Sequence, residues 1–168
     1  MTRYRYSPKQ LYTVVADVDS YHRFIPFCTA SRVLTAPPRD RLVPYDVEAE
    51  LKVGFMSFEE GYISRVHCRP YQMVKATASS STPLFKSLVT TWQFESTSKP
   101  APITASKNSL QPTNIDLPGP TRVTFDLTYA FANPLYASIS SRFFGQVSEL
   151  MVQAFEKRCV EVYGRGQS

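Results

Sequence analysis

From residue 42 to residue 131, apolar and polar side chains change places at every second position in one segment after another, and a single long helical pattern follows. Period two marks a strand with one face on a core and the other in water. Over 42–52, Val47, Ala49 and Leu51 face one way, and Glu48, Glu50 and Lys52 the other. Gly54 is expected to break that run. Over 55–68, Tyr62, Ser64 and Val66 oppose Arg65 and His67. Arg69-Pro70-Tyr71 reads as a turn, and Val74, Ala76 and Ala78 share one face of the next strand. Over 84–96, Leu88, Thr90, Trp92 and Phe94 lie opposite Val89, Thr91, Gln93 and Glu95. Over 121–131, Val123, Phe125, Leu127, Tyr129 and Phe131 lie opposite Arg122, Thr124, Asp126 and Thr128.

Helical signals flank this block. Residues 2–6 read as a short strand. Ser7-Pro8 is an N-cap with proline at the first helical position, and Leu11, Val14, Val15 and Val18 follow at helical spacing, so 8–17 is a predicted helix. Residues 19–24 form a second short helix stopped by Pro26, and 28–34 a strand ended by Pro37-Pro38. Asn133-Pro134 opens the long helix, which runs to about Tyr163, with Gly164 as its stop. Its apolar stripe is Ile139, Phe143, Val147, Leu150, Met151, Ala154 and Phe155; Arg142, Glu149, Gln153 and Glu156 take the far side. Residues 97–120 lack aromatic residues and periodicity and read as a flexible Ser/Pro-rich insertion between two adjacent strands. Helices segregated from antiparallel strands make the class α+β: a single domain over 1–168, with a curved antiparallel sheet wrapped around the long helix. Such a layout leaves room for a concave apolar cavity.

Composition narrows the function classes. Eleven Phe, ten Tyr and one Trp are too much aromatic surface for a disordered chain. Three cysteines cannot staple 168 residues, and Cys28, Cys68 and Cys159 read as buried free thiols. No uncharged run is long and apolar enough for a spanning helix. The net charge of +5 is compatible with nucleic acid, anionic membrane or an acidic partner and selects none of them, because the cations are dispersed. No signal peptide is visible.

No catalytic constellation stands out. His22 and His67 have no partners at metal-ligand spacing, and both read as surface histidines. Glu59 and Glu60 are adjacent on a strand and point to opposite faces, so at most one looks inward. Asp17 and Asp19 fit turn chemistry. The phosphate-binding glycine loop, zinc-finger and RNP patterns are absent. What remains is an aromatic interior that also carries hydroxyls, and each buried hydroxyl needs a partner. That pattern suits a mostly apolar ligand with a polar head. The headgroup candidates are Tyr62, Ser64, Thr90 and Tyr129. The apolar candidates are Val47, Leu51, Leu88, Trp92, Phe125, Leu127, Phe143, Val147 and Met151. A pocket of roughly 300–1,000 Å³ would not enclose a long chain, so part of a long tail is expected to stay in a membrane or cross to a second subunit. Phe24-Ile25-Pro26-Phe27, beside His22 and Arg23, either plugs the open end of the sheet or contacts a membrane interface with its cations on anionic headgroups.

Several segments together resemble a known family. They are Tyr6-Ser7-Pro8, Asp17-Val18-Asp19-Ser20-Tyr21, Phe24-Ile25-Pro26-Phe27-Cys28 and Ser31-Arg32-Val33-Leu34. Further on come Ala49-Glu50-Leu51-Lys52-Val53-Gly54-Phe55, Tyr62-Ile63-Ser64-Arg65-Val66, Thr82-Pro83-Leu84-Phe85, Trp92-Gln93-Phe94 and Phe131-Ala132-Asn133-Pro134-Leu135-Tyr136. In this order they resemble the coenzyme Q-binding START-domain proteins over nearly the whole chain except 97–120. The resemblance implies a helix-grip fold and a non-enzymatic protein that binds ubiquinone, with no catalytic cofactor and no metal. It implies a role in quinone biosynthesis and respiratory electron transport, peripherally at the matrix side of the mitochondrial inner membrane, with a transit peptide ahead of the chain. Expected partners are the quinone, an anionic membrane and quinone-biosynthesis or respiratory complexes, and no nucleic acid. Two other classes stay open. Related helix-grip proteins include polyketide cyclases, which would need a positioned acid or base on a phenolic substrate. Bacterial relatives are linked to ribosomes, and an RNA-binding module would fit the basic charge.

Overall fold

The computed structural model describes residues 2–55, 58–79, 85–97 and 119–165. Seven strands form one antiparallel sheet: β1 (Thr2–Tyr4), β2 (Cys28–Val33), β3 (Tyr45–Phe55), β4 (Phe58–Arg69), β5 (Met73–Ala78), β6 (Phe85–Ser96) and β7 (Thr121–Phe131). Their order is β1-β7-β6-β5-β4-β3-β2, a meander closed at one edge by the N-terminal strand. Helix α1 (Pro8–Ala16) and a 3₁₀ helix (Val18–Arg23) follow β1, and α2 (Pro134–Tyr163) ends the fold. The α+β reading therefore holds, down to a curved antiparallel sheet gripping one long helix.

Local sequence explains the helix ends. Ser7 Oγ accepts from the Gln10 N–H at 3.2 Å, and Gln10 Oε1 accepts from the Ser7 N–H at 2.9 Å. This reciprocal pair satisfies two donors that the first turn would otherwise strand, and Pro8 has no N–H to satisfy. Gly164 ends α2 in the left-handed region at φ 76°, and its N–H donates to the Val160 carbonyl at 2.9 Å. Its own carbonyl accepts from the Tyr6 hydroxyl at 2.8 Å, tying the two ends of the chain together.

Three details depart from expectation. The third strand starts at Tyr45 and runs through Gly54 to Phe55, so the glycine does not end it. Gly54 still pairs with Glu59, and its N–H donates to Phe27 at 2.8 Å, so the ladder outweighs the entropic cost of glycine in a strand. Leu42 and Val43 lie before the strand, and they are 57% and 48% exposed. Leu150, placed by periodicity in the apolar stripe of α2, is 39% exposed, because it lies off the line of Met151 and Phe155. Residues 98–118, which make up most of the expected insertion, lie outside the described set. The ends of that segment meet, since both the N–H and the Oγ1 of Thr97 donate to the Pro120 carbonyl, at 2.9 and 2.7 Å. Gly119 passes so close to the residues after β1 that a Cβ there would clash with the Arg5 and Tyr6 carbonyl oxygens.

The densest packing lies at one end of the sheet. Trp92 meets Phe125 with ring centroids 4.4 Å apart and Phe155 of α2 at 4.6 Å. Phe155 also meets Phe24 at 5.2 Å and Tyr21 at 5.5 Å. Helix α1 lies against β5, β6 and α2 beside this cluster.

Candidate functional site

Strand register sorts the gripped face of the sheet into rows. Tyr45, Cys68, Val74, Trp92 and Phe125 are successive partners across β3 to β7. Two residues along, Val47, Val66, Ala76, Thr90 and Leu127 form the next row. The third holds Ala49, Ser64 and Ala78, with the Leu88–Tyr129 pair on β6 and β7. Leu51 and Tyr62 follow, then Val53 and Glu60. The alternation read in the sequence thus puts its inward candidates from all five strands on one surface.

Burial falls away along the rows on the β5–β7 side. Val74 and Trp92 in the first row are 2% and 4% exposed, and Phe125 beside them is half-buried. Ala76, Thr90 and Leu127, and then Ala78, Leu88 and Tyr129, are only half-buried. The helix above shows the same gradient. Phe155 is sealed, while Met151 and Val147, one and two turns earlier on the same face, are half-buried. The sheet and α2 therefore close tightly at Trp92 and Phe155 and part toward the far end.

Side-chain size explains the gap. Ala49, Ser64, Ala76, Ala78 and Thr90 sit side by side on β3 to β6 and form a low floor. Taller residues stand on both sides: Val47, Leu51 and Tyr62 on β3 and β4, and Leu88, Leu127 and Tyr129 on β6 and β7. Ala49 and Ser64 are covered, at 0% and 1% exposed, whereas Ala76, Ala78 and Thr90 stay half-buried, so the small residues on β5 and β6 leave a recess in an otherwise close-packed interior. The sequence marks Val47, Leu51, Tyr62, Ser64, Leu88, Thr90, Trp92, Phe125, Leu127, Tyr129, Val147 and Met151 as lining residues, and all of these lie on the gripped face or on the same side of α2 as Phe155. Phe143 belongs to α2, but its side chain lies outside the described set. The alanines escaped notice as site residues; their signal was small residues at inward positions on neighbouring strands.

The recess has polar points. No hydrogen bond to another described residue engages the hydroxyls of Tyr62, Ser64 or Thr90. No fully buried side-chain N or O among the described residues lacks a partner, so the hydroxyls of half-buried Tyr62 and Thr90 open onto accessible space, while Ser64 is covered at 1% exposed. Burial, and then the nearby Cys28 thiol, push the Tyr62 phenol well above the usual tyrosine range, so it stays a neutral donor. Tyr129 is engaged elsewhere as well, through its ring contact with Phe131 at 5.4 Å.

The charged candidates separate from this surface. Glu59 is exposed, whereas Glu60 shares the face of Tyr62 and stands half-buried at the open end. A single carboxylate there forms no acid/base pair with Glu59. His22 Nδ1 lies 2.9 Å from Ser31 Oγ, and His67 Nδ1 lies 2.8 Å from Asp46 Oδ1 on the outer face. Asp19 Oδ1 accepts from the Val33 N–H at 2.6 Å at the end of β2. Among the described residues no three His, Cys, Asp or Glu come together as a metal site. Cys28, Cys68 and Cys159 are free and buried, and burial pushes Cys28 and Cys159 up to about 11.

The Phe24–Phe27 loop borders the open end, since the Phe27 carbonyl holds the Gly54 N–H. Ile25 is 9% exposed, and Phe24 lies on Phe155 with the Arg158 guanidinium 5.5 Å from its ring. Pro26 and Phe27 are half-buried, and Phe27 sits in the left-handed region at φ 66°. The first two residues thus serve the core, and the last two form the outer rim.

Residues 5–156 match the family described as polyketide cyclase / dehydrase and lipid transport. The chain is 32% identical to the mitochondrial coenzyme Q-binding protein COQ10 of Dictyostelium discoideum over 98% of its own length and 69% of that protein's. It is 30% identical to the ribosome association toxin RatA of Escherichia coli over 94% of its length and 83% of that protein's. A START superfamily protein from Mycobacterium smegmatis shares the fold with a TM-score of 0.68 at 14% identity, covering 96% of this chain and 94% of that one.

Proposed function

The chain belongs to the polyketide cyclase / dehydrase and lipid transport family, in the START-like group that includes the coenzyme Q-binding proteins, and on that premise we propose that it binds coenzyme Q, or a lipophilic precursor of it, in the recess between sheet and α2. One observation carries the reading. A floor of small residues lies between two apolar walls, with the unengaged hydroxyls of Thr90 on the floor and Tyr62 on a wall. Apolar walls accept an isoprenoid tail without discrimination, and a few neutral hydroxyls accept and donate to a quinone ring. The neutral phenol of Tyr62 suits a neutral headgroup.

The energetics favour exchange over trapping. Each buried CH₂ gains about 0.8 kcal/mol on leaving water. Moving a tail from a bilayer to an apolar recess gains little, because both are apolar. Selectivity then rests on the headgroup, and the protein hands quinone on. We assign it the role of a non-enzymatic quinone chaperone for respiratory electron transport and quinone biosynthesis, held peripherally at the matrix side of the mitochondrial inner membrane. No described helix is long and apolar enough to cross a membrane. Pro26 and Phe27 on the rim, with Arg23 nearby, supply the membrane contact, and part of a long tail stays in the bilayer or reaches a second subunit.

The test is organic extraction of protein purified from a ubiquinone-producing host, followed by mass spectrometry. Near-stoichiometric quinone, lost in folded Leu88→Glu and Val147→Glu variants, is the expected outcome. Folded protein that carries no quinone and takes none from vesicles defeats the reading. The similarity to RatA then directs attention to ribosomal RNA, where steeply salt-dependent binding is the signature. The cyclase reading would rest on Glu60 and demands turnover of a phenolic substrate that Glu60→Gln abolishes.

A further inference from the structure

At the end of the sheet away from the open end of the recess, one loop stands wholly in solvent. Residues 38–44 lie between β2 and β3, and every one of them is exposed, including the adjacent Leu42 and Val43 at 57% and 48%. The loop is pinned in place. The Leu34 N–H donates to the Glu48 carbonyl at 2.7 Å, and the Glu48 N–H donates to Thr35 Oγ1 at 2.8 Å. Asp40 Oδ1 accepts from the Leu42 N–H at 2.9 Å, and Pro37, Pro38 and Pro44 fix their own φ angles. Cations gather around the apolar pair. Arg39 and Arg41 precede it in the loop. Burial raises the Tyr45 phenol, and the Arg41 guanidinium stands near enough to pull it back. The Tyr12 and Tyr45 hydroxyls are 3.3 Å apart, Tyr12 lies edge-on to Tyr71 at 5.5 Å, and Lys9 Nζ stands 5.9 Å over the Tyr71 ring. Arg69 opens the turn that carries Tyr71, its carbonyl accepting from the Gln72 N–H at 3.0 Å. Lys9, Arg39, Arg41 and Arg69 are all exposed, and none forms an ion pair with another described residue. The carboxylates nearest in sequence to the loop's arginines and Tyr45 are engaged, Asp40 on its own backbone and Asp46 on His67.

We propose that this basic pole, with Leu42 and Val43 at its tip, docks a partner protein through an acidic segment that also carries apolar side chains. Charge complementarity selects the sign of the partner, since four cations without ion pairs repel a basic surface and attract an acidic one. Leu42 and Val43 give the contact an apolar centre, and a loop already pinned loses little entropy on binding. Nucleic acid fits less well. The tyrosines of this pole are buried or half-buried and packed on one another, so no exposed ring offers a base a stacking platform. A lipid surface belongs to the other end. Gly54, held by Phe27 at the rim, lies nine residues along β3 from Tyr45, so a bilayer seated across the open end leaves the basic pole about 30 Å away. This choice of protein over lipid rests on the membrane contact proposed for the rim. Residues 98–118 carry Lys99 and Lys107 against Asp116, so that segment is no acidic match from within the chain.

The experiment maps where a short synthetic peptide of glutamate and leucine binds, from the amide chemical shifts of the isotope-labelled chain. Shift changes are expected to concentrate at 38–44, at 69–72 and at the start of α1, and affinity is expected to fall as salt rises. Arg39→Glu combined with Arg41→Glu should weaken the peptide about tenfold, and Leu42→Ser combined with Val43→Ser about three- to tenfold. All four positions are exposed, so both variants keep the fold, which thermal unfolding checks, and extracted quinone stays at the wild-type level. Shift changes scattered over the dispersed cations overturn the docking site, and so does a charge-reversed variant that binds the peptide as tightly as the wild type. Vesicles of phosphatidylcholine with phosphatidylglycerol separate lipid from protein. Flotation lost in the charge-reversed variant assigns the pole to a membrane and overturns the protein partner. Ribosomal RNA bound more tightly than the peptide at physiological salt, and released by the same variant, overturns it in favour of nucleic acid. Quinone content is read on the same preparations, so failure of the quinone-binding reading and failure of the docking site give different results.

Discussion

Thr121 is 0% exposed, and its hydroxyl donates to the Tyr6 carbonyl at 2.7 Å, joining the start of β7 to the segment that leads into α1. Thr121→Val keeps the volume and strands that carbonyl, so it is expected to lower stability by about 1–3 kcal/mol in urea unfolding while leaving quinone uptake unchanged. The buried thiols set a pH dependence. Burial raises Cys28 and Cys159 from 9.0 to about 11. Below pH 9 both folded and unfolded thiols are protonated, and stability owes nothing to pH through them. Between pH 9 and about 11 the unfolded chain releases protons that the folded chain keeps, so stability falls as pH rises. The phenols of Tyr12, Tyr21 and Tyr62, all raised chiefly by burial, extend that fall above pH 10. Urea midpoints across this range check the slope, and Cys28→Ala with Cys159→Ala should flatten its lower part. A single buried threonine bond is illegible in sequence, because its partner lies 115 positions away. Burial of the cysteines was legible, since unpaired Cys in apolar surroundings behaves as a small hydrophobe.

At the scale of elements, α2 is held by Phe155, whose ring contacts Trp92 on β6, Tyr21 on the 3₁₀ helix and Phe24 in the following loop. Three elements converge on one side chain. Phe155→Ala is expected to cost about 3–5 kcal/mol and to loosen the closed end, which fluorescence of the adjacent Trp92 and thermal unfolding both read. The two helix starts show how far local rules reach. Ser7-Pro8 predicts the first helix correctly because capping involves only neighbours. The stripe of α2 was read less well at Leu150, because a helix face is wide and only contact with the sheet decides which edge is covered. Gly54 is a similar case. Glycine reads as a breaker, but pairing with Glu59 on β4 and the bond to Phe27 carry the strand past it.

For the whole molecule, the decisive property is the space left above the small residues. Ala76→Phe raises the floor beneath the recess. It is expected to reduce extracted quinone severely while leaving unfolding free energy intact or improved, because the new ring fills an existing gap. Mass spectrometry and urea unfolding on the same preparation separate these effects. The segment 98–118 bears on the fold through its ends, which Thr97 and Pro120 already hold together beside the Ser96–Thr121 pair. Replacing it by a short turn is expected to raise stability by about 1 kcal/mol from loop closure and to leave quinone binding unchanged.

The sequence alone determined which segments are strands, which face of each turns inward and where the helices begin, because these depend on periods of two and 3.6 and on neighbouring residues. It also put its inward candidates on one face of the sheet, since facing follows from alternation. Only the tertiary structure decided which inward residues are sealed and which stay half-open. Tyr62 and Val66 look alike in the strand pattern, yet Val66 is 1% exposed and Tyr62 half-buried. That difference arises from register across five strands, which aligns the alanines into one floor, and from the seating of Phe155 on Trp92, which fixes where the helix meets the sheet. Both are agreements between residues distant in sequence, so no local pattern could record them.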